Sequence, residues 1–490
     1  MRRSTRDAAA GWLMAACSWA LIAGEVTGRE APASPAALAR VRRAVGALAG
    51  APTVVSGTVG FYLASLDAPE RALVERNSRQ SFITASTLKS LTTGAALEIL
   101  GPDFAFETEV LWHPETGDLV VRGAGDPTIG RGGWDDLFGT WLNGLRSAGV
   151  SEVRGRIIAD ESAWESQEIP DGWTWLDIGN YYAPPLTPLA FHDNEFRLWF
   201  RLEGPPGDPA GLYDAEPWPD GLQIVDELRI GEPGTGDEAY AFGAPGAERY
   251  VIRGTLAPDA GKEFIRVALP DPALFCVQEF TKFLHSRGVP VHGAATTTRR
   301  LSAGGGAPAR TGGVTVARHR SAPLREMIAA INHRSLNLDC ECLLRTVGNG
   351  RARDGLNALR DHWAGKKLPL AGCQQTDGSG LSRTNMITPE FMARANASVI
   401  SGPHGADFLA SLPVLGAPES TLRRLTPSGK GVVIHAKSGT IERVKAYTGL
   451  VTLSSGRQYV FAIMVNNYDG PYSQDVAPGL AAIFEALAAL

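Results

Sequence analysis

Runs of hydrophobic and polar residues divide the chain into a helical start, a long middle part of short strands and a mixed end. The first part contains LARVRRAVGALAG, whose apolar residues recur at helical spacing, then TVGFYLASLD, which predicts a strand, and TASTLKSLTTGAALEIL, which predicts a buried helix. From about residue 105, short alternating segments bounded by Gly, Pro and Asp predict strands and turns. We therefore expect a β-rich insertion after the buried helix.

Helical spacing returns in APLREMIAAINHRS, after the Gly/Ala-rich segment LSAGGGAPARTGG. The last part predicts three strands, in GVVIHAKSGTIERV, AYTGLVTLSS and QYVFAIMVNNY, and then a helix in GLAAIFEALAAL. Helices and strands thus stand at both ends of the chain, and no internal repeat is evident. This order predicts one α/β domain that is split by the insertion.

Composition and charge narrow the class of protein. The 490 residues, of which 44% are apolar and 20% charged, are typical of a soluble globular protein with about three domains. The formal net charge of −5 provides none of the basic excess that nucleic-acid binding needs. We therefore exclude nucleic acid as a partner.

The N-terminus predicts a cleaved secretory signal peptide over residues 1–28. Arginines precede an apolar run from about Ala8 to Ala23, and small, polar and proline residues follow it. A membrane anchor is the alternative, but the run is shorter than the roughly 18 to 20 residues that a spanning helix needs. A lipid on Cys17 is disfavoured because the apolar run continues beyond that residue. We expect export to the periplasm or the cell-wall space.

The cysteines give no sign of a bound metal. Removal of the signal leaves Cys276, Cys340, Cys342 and Cys373, which allow at most one disulfide beside buried thiols. The CEC pair lacks the two-residue spacing that is usual for zinc ligands, and no histidine pair follows it. We expect neither a metal nor another cofactor.

Ser86 and Lys89 stand at the start of the buried helix. If the helix begins near Ala85, both side chains lie on one face and the ammonium can touch the hydroxyl. A serine becomes a nucleophile when a base removes its proton, and burial and nearby cations can lower the pKa of a lysine enough for that task. The alternative is a lysine that extends to solvent, and Ser-x-x-Lys alone does not exclude it.

Two later segments favour the catalytic interpretation. Ser335 and Asn337 precede a predicted helix, and the segment from Lys437 to Thr440, with the sequence KSGT, ends a predicted strand. Ser-x-x-Lys, Ser-x-Asn and Lys-Ser/Thr-Gly in this order form the set found in penicillin-binding proteins and serine β-lactamases. Each motif alone is weak, but the ordered triple is specific.

Each residue of the triple has a chemical role in this interpretation. Ser335 relays a proton toward the leaving amine, and Asn337 orients the lysine and binds the substrate backbone. Lys437 and Ser438 bind a substrate carboxylate, and Gly439 lets the substrate lie close to the strand. A helix N-cap at Asn337 and an ordinary turn at positions 438–439 are the structural alternatives.

The sequence resembles the low-molecular-mass class C penicillin-binding proteins of the D-alanyl-D-alanine carboxypeptidase/endopeptidase type. The resemblance covers nearly all of the mature chain and includes GDLVVRGAGDPTIG, APPLTPLAFHDNEF and DGSGLSRTNMITP besides the three motifs. Two positions depart from the family pattern: Leu336 stands where Asp is frequent, and Ser438 replaces the usual Thr. Because serine keeps the hydroxyl, neither change argues for inactivity.

The resemblance implies an α/β (α+β), β-lactamase-like transpeptidase fold, in which an antiparallel sheet is flanked by helices and interrupted by nested β-rich domains. It also implies an acylated Ser86, an oxyanion hole from the backbone N–H groups of Ser86 and Thr440, and a loop from Asp377 to Ser382 beside the site. The expected limits are 34–98 and 316–490 for the catalytic domain, 99–197 and 274–315 for domain II, and 198–273 for domain III.

The sequence therefore predicts an exported serine hydrolase that cleaves D-Ala-D-Ala ends and cross-links of peptidoglycan stem peptides and that β-lactams acylate. A serine β-lactamase is one alternative, which the long insertion disfavours. A non-catalytic protein that holds peptidoglycan is the other, which the complete set of groups around Ser86 disfavours.

Overall fold

The computed structural model describes residues 33–305, 312–418, 420, 422–425 and 429–490. The predicted signal peptide and Cys17 lie outside the described residues. Among the helices that are described, none combines the length and the apolarity needed to cross a bilayer.

The strands of the described residues are, in chain order, Thr58–Ser65 (β1), Ala72–Arg76 (β2), Phe82–Ile83 (β3), Glu107–His113 (β4), Asp118–Arg122 (β5), Ile157–Asp160 (β6), Glu195–Arg201 (β7), Gly211–Glu216 (β8), Gln223–Asp226 (β9), Arg229–Ile230 (β10), Asp237–Phe242 (β11), Arg249–Leu256 (β12), Phe264–Ala268 (β13), Thr296–Thr297 (β14), Val314–Arg320 (β15), Met386–Ile387 (β16), Val433–Ile441 (β17), Val444–Thr452 (β18) and Gln458–Asn466 (β19).

The α-helices are Pro35–Ala49 (α1), Leu88–Leu100 (α2), Asp135–Ser147 (α3), Pro272–Ser286 (α4), Thr298–Ala303 (α5), Leu324–Arg334 (α6), Asn337–Val347 (α7), Ala352–Gly365 (α8), Pro389–Ile400 (α9), Gly405–Ala410 (α10) and Val476–Ala488 (α11). Two 3-10 helices, Ala85–Thr87 and His192–Asn194, complete the helices of the described residues.

A five-stranded antiparallel sheet joins the first and last parts of the chain, in the order β17-β18-β19-β1-β2. Strand β1 alternates its side chains between two cores, so that Tyr62 and Ala64 face one and Phe61 and Leu63 face the other. Helices α2 and α9 belong to the first core, and α1 and α11 to the second. Burial on both faces explains why TVGFYLASLD is apolar along almost its whole length.

The middle of the chain forms sheets of its own. The order β14-β6-β5-β4-β15 makes a five-stranded sheet, β13-β7-β8 a three-stranded one, and strands β9 to β12 a four-stranded one. One apolar core runs through all of them and includes the aromatic contacts of Phe138, Trp141 and Phe280. The residues between α2 and α6 therefore form a β-rich body, and the chain then continues into the helices and strands of the first sheet.

Strand β15 bears on the end of the insertion. It pairs with β4 as far as Arg320, which lies opposite Glu107. The expected limit between residues 315 and 316 falls inside this strand, so we propose that the inserted part ends after Arg320. The other domain limits stay predictions.

Candidate active site

Ser86 lies in the 3-10 helix Ala85–Thr87, directly before α2. Helical structure thus begins at Ala85 with the 3-10 turn, and the α-helix follows from Leu88. Ala85 itself has a φ of 45°, a left-handed value that is unfavourable for alanine. Such strained backbone persists only where surrounding contacts hold it. The turn places Ser86 at the edge of a cleft.

Lys89 is fully buried one turn beyond the serine. Its Nζ donates to Ser86 Oγ at 3.0 Å, to Asn337 Oδ1 at 2.6 Å and to the carbonyl oxygen of Ser379 at 2.7 Å. Lys89 therefore does not extend to solvent, and all three donors of its ammonium have partners.

Asn337 begins helix α7, and its amide is held at both ends. Oδ1 accepts from Lys89, while Nδ2 donates to the carbonyl oxygen of Tyr182 at 2.7 Å. Since a carbonyl oxygen can only accept, this second contact fixes which end of the amide faces the lysine. Tyr182 belongs to the insertion, so the inserted part helps to set the geometry of the site.

Ser335 and Lys437 form a second contact pair at the same cleft. Ser335 ends α6 in a left-handed conformation, with φ 60° and ψ 43°, which turns the chain sharply between α6 and α7. Lys437 Nζ donates to Ser335 Oγ at 3.2 Å and to the carbonyl oxygen of Ser438 at 2.9 Å. Lys437 is only 1% exposed, so it acts on the cleft through Ser335 and through its charge.

Gly439 lies where strand β17 passes the nucleophile. A Cβ atom at this position would lie within 3 Å of the backbone nitrogens of Ser86 and Thr87 and of the carbonyl oxygen of Thr84. A side chain is therefore excluded by backbone atoms. The next residue, Thr440, lines the cleft, and its Oγ1 accepts from Lys445 Nζ at 2.6 Å.

The cleft has a volume of about 720 Å³ and lies between the insertion and the sheet that contains β17. Ser86, Ser335, Asn337 and Thr440 line it, and so do Gly380 and Leu381 of the loop from Asp377 to Ser382. The insertion contributes the far wall, with Tyr181, Tyr240, Arg266 and neighbouring acidic residues. The three motifs predicted from the sequence therefore meet at one opening, and the loop borders it.

A sequence model of the Peptidase S13 family, the D-Ala-D-Ala carboxypeptidase 3 family, matches residues 41–487. The chain belongs to this family. The predicted class of enzyme, a serine D-Ala-D-Ala carboxypeptidase of the penicillin-binding type, is thereby confirmed.

Curated relatives are similar to this chain over most of their length. The D-alanyl-D-alanine carboxypeptidase of Actinomadura sp. (strain R39) is 28% identical over 476 residues, which cover 92% of this chain and 85% of that protein. A D-alanyl-D-alanine carboxypeptidase of Haemophilus influenzae is 22% identical over 433 residues, which cover 84% of this chain and 85% of that protein.

The crystal structure of penicillin-binding protein 4 from Haemophilus influenzae superposes with a TM-score of 0.74 and 21% identity. The match covers 90% of this chain and 97% of that chain. The predicted α/β fold of the penicillin-binding type is therefore confirmed.

Burial shifts the pKa of both lysines in this S13 site. Desolvation lowers the pKa of Lys89 below its usual value, although the nearby Cys340, Asp377 and Glu341 act in the opposite direction. Desolvation together with the charge of Lys89 holds the pKa of Lys437 well below its usual range. Burial thus favours the neutral form of Lys89, which is the form a base requires.

Several contacts that support the site belong to no sequence motif, and the sequence does not predict them. The carboxylate of Asp377 accepts from the backbone N–H groups of Gly380 and Ser382 and from Trp173 Nε1, at 2.7 to 3.0 Å. Arg131 of the insertion pairs with Asp339, two residues after Asn337, at 2.8 Å. Only the acidic residues beside the predicted motifs offered a signal, because Trp173 and Arg131, their partners from the insertion, lie more than 200 positions away in the chain.

The remaining expectations concern the cysteines and the two unusual motif positions. Cys276, Cys340, Cys342 and Cys373 are all free. Leu336 lines the cleft, and the backbone oxygen of Ser438 accepts from Lys437. Within the described ranges no cluster of three or more His, Cys, Asp or Glu side chains could hold a metal ion.

Proposed function

We propose that this S13 enzyme cleaves D-Ala-D-Ala ends and cross-links of peptidoglycan stem peptides through an acyl-enzyme on Ser86. The observation that carries the proposal is the set of hydrogen bonds around Lys89. This set determines from which side the lysine can take up a proton.

Loss of one proton leaves Lys89 with two N–H donors and one lone pair. The Ser379 carbonyl and Asn337 Oδ1 can only accept, so they keep the two N–H groups. The lone pair is left to face Ser86 Oγ, 3.0 Å away. The neutral lysine is thus oriented as the general base for the serine hydroxyl.

Acylation begins when Ser86 Oγ attacks the carbonyl carbon of the penultimate D-Ala and its proton moves to Lys89. The backbone N–H groups of Ser86 and Thr440 hold the resulting oxyanion. Collapse of this intermediate breaks the C–N bond, and the leaving amine takes its proton from the Ser335 hydroxyl. Lys437, whose Nζ lies 3.2 Å from Ser335 Oγ, restores that proton.

Deacylation runs along the same proton path in the opposite direction. Water attacks the ester and gives its proton toward Ser335 and the now neutral Lys437, while Lys89 returns a proton to Ser86 Oγ. The protons balance over the cycle, and the path needs only side chains of this cleft. The charge of Lys437 and the hydroxyls of Ser438 and Thr440 also offer a binding site for the terminal carboxylate.

A β-lactam presents a strained amide and a carboxylate in place of D-Ala-D-Ala, so the same serine is expected to open it. The adduct persists if the opened ring stays in the cleft and hinders the water. The serine β-lactamase alternative differs in this step alone, and rapid turnover of a chromogenic cephalosporin would support it.

We further propose that the enzyme works in the periplasm or cell-wall space. Its substrate is located there, and residues 1–28 have the charged, apolar and small-residue segments of a secretory signal.

Labelling with a fluorescent penicillin, followed by digestion and mass spectrometry, tests the proposal. The label is expected on the peptide that contains TASTLK and is expected to be absent in Ser86→Ala. Lys89→Ala should slow labelling by about 10²-fold to 10⁴-fold, because a positioned base contributes that much to the rate.

Ser90→Ala is the matched control, since it removes another buried serine hydroxyl from the same part of the chain and should label at the normal rate. Label on a different serine, or unchanged labelling of Ser86→Ala, would overturn the mechanism. Incubation with defined muropeptides then separates carboxypeptidase from endopeptidase products.

A further inference from the structure

The Ser379 carbonyl is one of the two acceptors that orient Lys89, and its own position depends on a turn. Ser379 and Gly380 share one peptide unit, whose carbonyl accepts from Lys89 and whose N–H donates to Asp377 Oδ1 at 2.8 Å. A backbone carbonyl in a turn has no fixed direction unless the neighbouring peptide units are held. The question is therefore what holds them.

Glu341, on helix α7, holds the two preceding peptide units. Its Oε1 accepts from the backbone N–H of Ser379 at 2.8 Å and of Gly378 at 3.0 Å, and its Oε2 lies 3.1 Å from the same Gly378 nitrogen. The Gly378 carbonyl, on the other side, accepts from Thr92 Oγ1 at 2.7 Å. Side chains of α7 and α2 thus form hydrogen bonds to the turn from two sides.

The burial of Glu341 shows that this contact comes at a cost. Its side chain is fully buried, and its nearest cation, Arg345, stays 3.9 Å away. Desolvation and the neighbouring Asp377 raise the pKa of Glu341 to about 7. Burying a carboxylate without a close cation is unfavourable unless N–H donors compensate it, and here the donors are those of the turn.

The charge of Glu341 also reaches the lysine. The titratable groups that face Lys89 are Cys340 and Glu341 from α7, Asp377 from the turn and Lys437 from β17. The carboxylates favour the protonated form of Lys89, whereas burial favours the neutral form. Glu341 therefore affects both the position of Lys89 and its pKa.

We propose that Glu341 is a positioning residue for acylation: its carboxylate fixes the Gly378–Ser379 backbone so that the Ser379 carbonyl directs Lys89 toward Ser86. This inference rests on the proposed function of Ser86 and Lys89. Glu341 itself does not line the cleft, so it acts through the backbone that it holds.

The decisive variant is Glu341→Gln. A glutamine oxygen can still accept from Ser379, but its NH2 group replaces an acceptor that faces the Gly378 N–H and the Arg345 guanidinium. Donor then faces donor, so the turn must shift. We expect acylation by a fluorescent penicillin to slow by about 10-fold to 100-fold, since small misplacements of a catalytic group have effects of this size.

The pH profile separates positioning from a general loss of structure. Acylation needs neutral Lys89, so its rate falls as the pH drops through the pKa of Lys89. The negative charge of Glu341 raises the pKa of Lys89, so removing that charge should lower it. The pH at which the acylation rate is half-maximal should then move to a lower value. Glu341→Asp keeps the charge on a shorter side chain, so it should slow the reaction while leaving the half-maximal pH close to that of the unaltered enzyme.

Glu98→Gln is the matched control. Glu98 is a buried carboxylate on the same helix as Lys89, and it pairs with His362 and Lys366 at 2.8 Å, outside the cleft. This variant should lose stability without a change in the acylation rate or in its pH profile. Thermal unfolding of all variants measures the structural contribution.

The outcomes distinguish this inference from the proposed function. If the unaltered enzyme is labelled on Ser86 but Glu341→Gln reacts at its rate and with its pH profile, the role of Glu341 is refuted and the function stands. Equal rate losses in the glutamine variants of Glu341 and Glu98 refute it as well. If Glu341→Gln does not fold, Glu341→Asp decides, and a normal rate there refutes the inference. Absence of label on Ser86 in the unaltered enzyme refutes the proposed function itself.

Discussion

Replacement of Gly439 by alanine tests how closely strand β17 must approach the nucleophile. The new Cβ would lie 2.6 Å from the carbonyl oxygen of Thr84, 2.8 Å from the nitrogen of Thr87 and 2.9 Å from that of Ser86. Ordinary contact begins at 3.4 Å, so the worst contact is 0.8 Å too short. Backbone atoms cannot rotate away, and the strand must therefore separate from the 3-10 helix.

The magnitude follows from that separation. Overpacking of this kind costs about 1–3 kcal/mol of the free energy of unfolding. A displacement close to 1 Å between reacting groups costs about 100-fold in rate. We expect Gly439→Ala to remain folded, because β17 pairs with β18 along its full length, and to react with penicillin about 100-fold more slowly.

The assay is the rate of covalent labelling by a fluorescent penicillin, with thermal unfolding measured in parallel. Gly46→Ala in helix α1 is the control, because a Cβ there meets no atom within 4 Å. This variant should keep the normal acylation rate, and its free energy of unfolding should rise by about 0.5–1 kcal/mol, because alanine is more favourable than glycine inside a helix. A normal acylation rate in Gly439→Ala would refute the argument that the strand and the nucleophile need this close approach.

Two further predictions concern groups around the site. Arg131→Ala removes the guanidinium partner of Asp339, which is 1% exposed, and should lower the free energy of unfolding in urea by about 3–5 kcal/mol. Arg71→Ala breaks an exposed pair with Glu70 and should change it by less than about 1 kcal/mol, so equal losses would contradict the prediction. Lys437→Ala should slow reaction with penicillin more than reaction with a neutral thioester, because the charge of Lys437 attracts the carboxylate of penicillin. Equal losses in the two rates would assign Lys437 to the proton path through Ser335 alone.

The sequence predicted the parts of the site that are local. Ser86 and Lys89 lie three positions apart, so helical spacing alone brings them together, and the motifs at Ser335 and Lys437 are recognisable as short patterns in a fixed order. The long apolar strands were also visible because each buries a continuous run of side chains, and the final helix because its buried side chains recur at helical spacing.

The supporting contacts could not be predicted, because they depend on how distant segments meet. Tyr182 fixes Asn337 through a backbone oxygen, a group that every residue carries. The sequence placed Lys437 where it meets a substrate carboxylate, but it does not show that the nitrogen is buried against Ser335. The left-handed φ of Ala85, directly before Ser86, also carries no sequence signal, because alanine does not favour that conformation.

The pairing of β1 with β19 has a consequence for the time at which the enzyme becomes active. Every residue of β1 lies opposite one of β19, and the backbone N–H of Ile83 donates to Asn466 Oδ1 at 2.7 Å across 383 residues of chain. The ribosome makes Ser86 long before strands β17 to β19, and contacts this distant in sequence form late. A chain that stops before β17 therefore lacks both β19, one of the two strands that pair with β1, and Lys437. Such an unfinished copy carries Ser86 without these partners, so we expect activity only once the chain has been made through β19.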